Sequence, residues 1–157
     1  LMETFAMDAV SANAMVSVCS GLSVLSFAVG FVMDRTGSRK KWMIGFGALY
    51  FVGIMIMYTV SSVAGVWVGI VFEGLACAGI PVCVRTLAIE NLPPGMTNKA
   101  LALITFCTTL GIAFGASLYA LAAEATSFGM AGQLMLGGLA FVSVICSLFI
   151  KEAKRVK

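Results

Sequence analysis

The side chains of this chain that can do charge chemistry are few, and most crowd into one turn. Gly30 to Lys41 reads G-F-V-M-D-R-T-G-S-R-K-K, an acid, two glycines and four cations between long apolar runs. A carboxylate placed like Asp34, at the end of a helix, accepts hydrogen bonds from the exposed amides that open a neighbouring helix and interacts with that helix's positive end. Arg35 and Arg39 carry forked donors that bind Asp34, carbonyls at helix ends or another carboxylate. Gly30 allows close helix packing, and Gly37 permits a tight reversal. The expectation is a breakable ionic latch, with Arg85 and Glu90 as further members and with Lys40 and Lys41 as topological charges.

One carboxylate stands apart. Glu73 lies in an otherwise uncharged stretch, and the next cation on its own helix, Arg85, is twelve residues on, roughly 18 Å along the axis. A carboxylate near mid-bilayer is costly when ionised and counts as a functional candidate. Either burial keeps Glu73 protonated, which suits proton coupling, or a cation outside this chain pairs with it, which suits substrate binding or a state-dependent latch. A third reading is a protonated acid bonded to a hydroxyl or carbonyl for packing alone. Ser20, Ser23, Thr105 and Thr108 are weaker candidates for substrate or proton coupling, because such hydroxyls often only satisfy neighbouring backbone.

The elements that position these groups follow from composition. Hydrophobic residues are 61% of the chain and charged residues 11%, with mean hydropathy +1.05, whereas a soluble domain carries about 25% charged residues. The class is all-α, a polytopic transmembrane helix bundle, whose 157 residues form a single transmembrane domain. A span needs about 20 apolar residues. Five are expected, over about 9–33, 42–60, 64–84, 100–123 and 125–150, before a cytoplasmic tail at 151–157. The first has serines at 17, 20, 23 and 26, a ribbon that either lines an aqueous cavity or bonds a neighbouring helix. The second reads as lipid-facing. The third is rich in small residues, of which Gly65 and Gly69 let another helix approach closely; Pro81 predicts a kink. In the fourth, Gly111 and Gly115 form a second close-approach pair, and Thr97 or Asn98 is the expected N-cap.

Orientation follows from charge. With the start outside, all ten Lys and Arg residues fall on the inner side, as the positive-inside rule requires. The five cysteines sit in apolar runs without paired spacing, and there is no histidine. They read as packing residues, with no metal site, no cofactor and no nucleic-acid partner implied, and no enzyme. The chain starts at Leu1 without a signal-peptide pattern, so the expectation is that it starts partway through a longer protein.

Gly30-x-x-x-Asp34-Arg35-x-Gly37-x-Arg39-Lys40 resembles the signature loop of the major facilitator superfamily, G-x-x-x-D-R-x-G-R-R/K, with Ser38 at one basic position. Ala88-Ile-Glu-Asn-Leu-Pro-Pro94 is similar to the superfamily's acidic-then-proline loop, although Thr97 and Asn98 replace its usual Arg-Gly. Ile70 stands where the amino-terminal half of the family carries an arginine, and Ala116 where antiporters carry proline. The resemblance therefore implies the carboxy-terminal half, helices eight to twelve, a partial major-facilitator half whose first, third and fourth spans line the cavity. It also implies secondary active transport of a small-molecule solute by alternating access, as symport or antiport and with protons as one candidate coupling ion. The lipid bilayer and the missing transporter half of the same chain would be its partners, and the plasma (inner) membrane its place, with the start of the fragment outside and its C-terminus cytoplasmic. The alternative is a non-transporting membrane scaffold or receptor-like subunit.

Overall fold

A computed structural model describes residues 8–60, 62–126 and 131–150; the tail at 151–157 lies outside the described residues. Within them the secondary structure is helical, without strands. α1 (Ala9–Leu22) passes through a 3-10 turn (Ser23–Leu25) into α2 (Ser26–Thr36). There follow α3 (Arg39–Thr59), α4 (Val63–Asn91), a 3-10 turn (Pro94–Met96), α5 (Thr97–Thr126) and α6 (Ala131–Leu148). Four stretches are long and apolar enough to cross a membrane, Ala9–Thr36, Arg39–Met57, Val63–Asn91 and Thr97–Ala122. The fifth expected span corresponds to α6, whose helix covers 18 residues.

The first span is not one uninterrupted α-helix. The Ser23 hydroxyl donates to Ser20 O at 2.5 Å, and its backbone N–H also turns to that carbonyl. A serine that offers the backbone an alternative partner tightens the helix locally, and 3-10 stretches inside helices often mark hinges. Asp8 caps α1 by accepting from the Ser11 amide at 3.2 Å, and Ser62 caps α4 by accepting from that of Gly65.

α4 is the central helix, packed against α1, α2, α3 and α5. Its small residues make this possible. A Cβ added at Gly69 would lie 2.8 Å from the carbonyl oxygen of Gly53 on α3, and one at Gly53 would lie 3.0 Å from the carbonyl oxygen of Gly69. Gly79 receives the ring of Phe46 in the same way, and Gly74 receives Leu22. Gly65, expected to share this contact, faces Val60 of the connecting turn instead. The helix runs through Pro81 to Asn91 without interruption, so the segment beyond Arg85 belongs to the same helix rather than to a separate one.

Two buried clusters fill the seams. Met15, Ile54, Met57, Val66 and Ile70 form the outer one; Met33, Met43, Cys83 and Leu87 form the inner one. Cys83 packs as expected, its thiol 3.5 Å from the Met33 sulfur. Cys77, Cys107 and Cys146 are exposed instead.

Three expectations change. The second span is not simply lipid-facing: α3 is wedged between α4 and α6, and exposure is confined to a stripe that includes Lys41, Gly45, Ala48 and Val52. Gly111 and Gly115 make no close approach, since a Cβ on either meets nothing within 4 Å. Thr97 does not accept from the start of α5 but donates to Pro93 O at 3.5 Å.

Gly69→Ala should lower the stability of the protein in detergent by ~1–3 kcal/mol, because the new methyl meets backbone that cannot turn aside. Gly45→Ala, with nothing within 4 Å of its Cβ, should be neutral or stabilising by up to ~1 kcal/mol through helix propensity. Thermal unfolding of the two variants checks this, and equal effects would remove the close α3–α4 approach as the cause.

Candidate functional site

The charged turn is built from three helix ends. α2 stops because Gly37 takes φ 71°, a left-handed conformation, and returns its N–H to Met33 O at 3.0 Å. α3 begins two residues later, so Arg39 enters its first turn close to Asp34. Arg39 Nη2 donates to Asp34 Oδ1 at 2.5 Å and Arg39 Nε donates to Glu90 Oε1 at 3.1 Å. Arg39 is 3% exposed, whereas the Asp34 side chain is 72% exposed and that of Glu90 24%. The buried guanidinium thus joins the ends of α2, α3 and α4. A cation in the first turn of a helix opposes its dipole, and here two carboxylates offset that cost.

The other expected members of the latch are elsewhere. Arg35 lies over the ring of Phe31, 4.4 Å from its centroid. Arg85 is exposed, one and a half turns before Glu90, beside Ser23, Ser26 and Thr86. At Gly30 an added methyl would make ordinary contact with Val82 at 3.9 Å, so close packing does not require glycine there in this conformation. Lys40 does more than set topology: its Nζ donates to Leu148 O at 2.6 Å, a cation at the C-terminal end of α6. Trp42 Nε1 donates to Thr36 Oγ1 at 2.7 Å and braces the turn. The hydroxyl of Ser38, at the position where the resembled motif is basic, is buried without a hydrogen-bond partner.

About 25 Å along α4 from Glu90, Glu73 is half-buried and faces a cavity of about 300 Å³. Ser20 shares the cavity, as do Cys19 of α1 and Tyr119 of α5. Tyr50 of α3 lies beside the Glu73 carboxyl. Sequence reasoning singled out neither tyrosine, though the signal existed: tyrosines of spanning helices favour the interfaces, and Tyr50 lies mid-span.

Of the weaker candidates, Ser20 is therefore brought to Glu73 and the others are not. Ser23 lies in the next cavity inward. Thr108 is exposed on α5 and donates to Ile104 O at 2.8 Å, and Thr105 is exposed on the same helix. The arrangement can hold an acid, protonated or ionised, in a half-dry site with a tyrosine beside it, and can separately lock three helix ends through one guanidinium.

Searches of curated proteins and of solved structures return no significant match. The sequence profile of the Major Facilitator Superfamily, by contrast, matches residues 1–157 in full. With four apolar helices of spanning length and an all-helical bundle beneath that match, this chain belongs to the major facilitator superfamily, the integral membrane transporters of small solutes.

Proposed function

We propose that the chain is the carboxy-terminal part of a secondary active carrier that works by alternating access, with Glu73 in the coupling path and Arg39 at the cytoplasmic gate. The observation that carries this reading is the buried Arg39 held by Asp34 and Glu90. A scaffold needs only permanent packing there, whereas an ionic clamp between helix ends can part and reform at modest cost when one side opens to water. Rocking of two helical halves around a central site is the motion that such a clamp would gate. The wide exposed apolar surfaces of α1 and α5, including Val10, Val16, Leu103, Phe106, Ile112 and Phe114, support a further half that packs against them.

Glu73 would serve as the proton-linked group. Its setting combines apolar neighbours, the adjacent Tyr50 and a cavity open to solutes. A carboxyl there exchanges a proton only when the cavity is wet, which ties its charge to the conformation. Tyr50 beside it would steady the carboxyl, and its loss would weaken coupling without abolishing it.

In proteoliposomes containing the complete gene product and a trapped pH dye, a Glu73→Gln variant should lose solute-dependent proton movement at least about tenfold, as expected for a general acid–base group. Tyr50→Phe should lose less. Solute flux unchanged in Glu73→Gln would reduce Glu73 to a packing residue. The gate has its own readout, because Cys83 is buried in the inner cluster beside Met33. Arg39→Gln leaves two carboxylates without their cation, a change of roughly 2 kcal/mol or more. Maleimide labelling of Cys83, with the other cysteines replaced, should then quicken roughly tenfold or more. Glu90→Gln, which keeps the Asp34 contact, should give a smaller rise. Labelling that stays at the wild-type rate in Arg39→Gln would leave the clamp a static brace.

A further inference from the structure

Arg39 takes both carboxylates of the turn, and this leaves Arg85 for another task. Among the described residues the two ion pairs are both Arg39's, and none of the described carboxylates pairs with Arg85. Its guanidinium lines a cavity of about 420 Å³ together with Ser23, Ser26, Cys77, Pro81 and Thr86. The position is six residues before the end of α4, roughly 9 Å up the helix from its inner end. There the side chain is exposed, so water or an anion can meet its charge.

The hydroxyls around it come from two helices. Ser23 opens the 3-10 turn between α1 and α2 and Ser26 follows it, and both line this cavity with residues of α4. Ser23 and Thr86 donate at present to Ser20 O and Val82 O, and rotation about one bond would redirect either. No described residue engages the Ser26 hydroxyl. On α4 the residues Glu73, Cys77, Pro81 and Arg85 recur every four positions, so one stripe runs from the Glu73 cavity to this one. The two cavities thus lie one beyond the other along this face of α4, with Glu73 lining the outer and Arg85 the inner.

We propose that Arg85, with Ser23, Ser26 and Thr86, forms a binding subsite for the anionic oxygens of a small solute, a carboxylate or a phosphate. The forked guanidinium fits such groups bidentately, and the three hydroxyls supply donors around it. The role of the subsite in carrying a solute rests on the transport reading above; the binding itself does not.

Cys77 is a built-in reporter, since it is exposed in the same cavity two turns from Arg85. The complete gene product, with Cys19, Cys83, Cys107 and Cys146 replaced by alanine, is treated at low ionic strength with two thiol reagents of similar size. One is the anionic 2-sulfonatoethyl methanethiosulfonate, the other its trimethylammonium counterpart. The anionic reagent should react faster by about tenfold, as expected for a charged cleft, with the preference falling as salt is added. Arg85→Gln should erase the preference and Arg85→Lys should keep most of it; any change in thiol reactivity itself cancels in the ratio. Succinate or glycerol phosphate should slow labelling of the wild type, and neutral succinamide should not.

Equal rates for both reagents, an unchanged ratio in Arg85→Gln, or a Cys77 that neither reagent reaches would each overturn the subsite. Should Arg85→Gln fail to fold, the wild-type ratio and its response to succinate decide alone. A charge preference in a protein that moves no solute would uphold the subsite and sink the transport reading. Solute flux without any preference would do the reverse.

Discussion

The close approach of α3 and α4 at Gly53 and Gly69 is the constraint on which the rest of this structure depends. Two glycine faces let the backbones meet, and in a bilayer, where apolar burial gives little drive between helices, such contact is a main source of association. Antiparallel pairing then fixes the register at every level below. Moving inward by a turn on each helix brings Tyr50 to Glu73, the next step seats Phe46 on Gly79, and the last brings Arg39 to Glu90. One steric permission in the outer half of the helix pair thus decides which acid the buried arginine finds at the other end.

That dependence explains what the sequence could and could not reveal. The spans, the charged turn and the reversal at Gly37 were legible because each rests on local chemistry: uncharged length, clustered cations, and a residue able to take positive φ. The small-residue face of α4 was legible too, but not its partner. Which arginine would meet Glu90 was not, since Arg35, Arg39 and Arg85 are chemically alike and only the helix register separates them. Tyr50 escaped for the same reason. Its meeting with Glu73 depends on how α3 and α4 are set against each other, and no periodicity within either helix encodes that.

Some local signals misled because a tertiary contact outweighed them or never arrived. Gly111 and Gly115 have the spacing of a packing pair, yet α5 leaves them uncovered among the described residues. Its apolar face is as exposed as that of α1, while α3 is enclosed by α4 and α6. Of the spans expected to line a cavity, the first and fourth are left bare and the third is the most enclosed, while the span expected to face lipid is partly enclosed. The packed face of the second span was hidden in its sequence, because a helix with one lipid stripe and one packed face reads as uniformly apolar.

The distribution of charge down α4 gives the arrangement a direction. Glu73 sits deep, with Tyr50 as its neighbour; Arg85 sits nearer the inner end, beside three hydroxyls; Glu90 sits at the end, bound to a buried guanidinium. Among the described residues, only the last of these is locked by an opposite charge. An ion pair between fixed groups is stable in every state that keeps them together, so it suits a clamp. A charge without a fixed partner must be met by something that comes and goes, such as a proton, a solute or water. On the proposed reading, the helix would carry its exchangeable sites inward from mid-bilayer and its ion-paired clamp at the inner edge, so that parting the clamp would admit the inner solution to them.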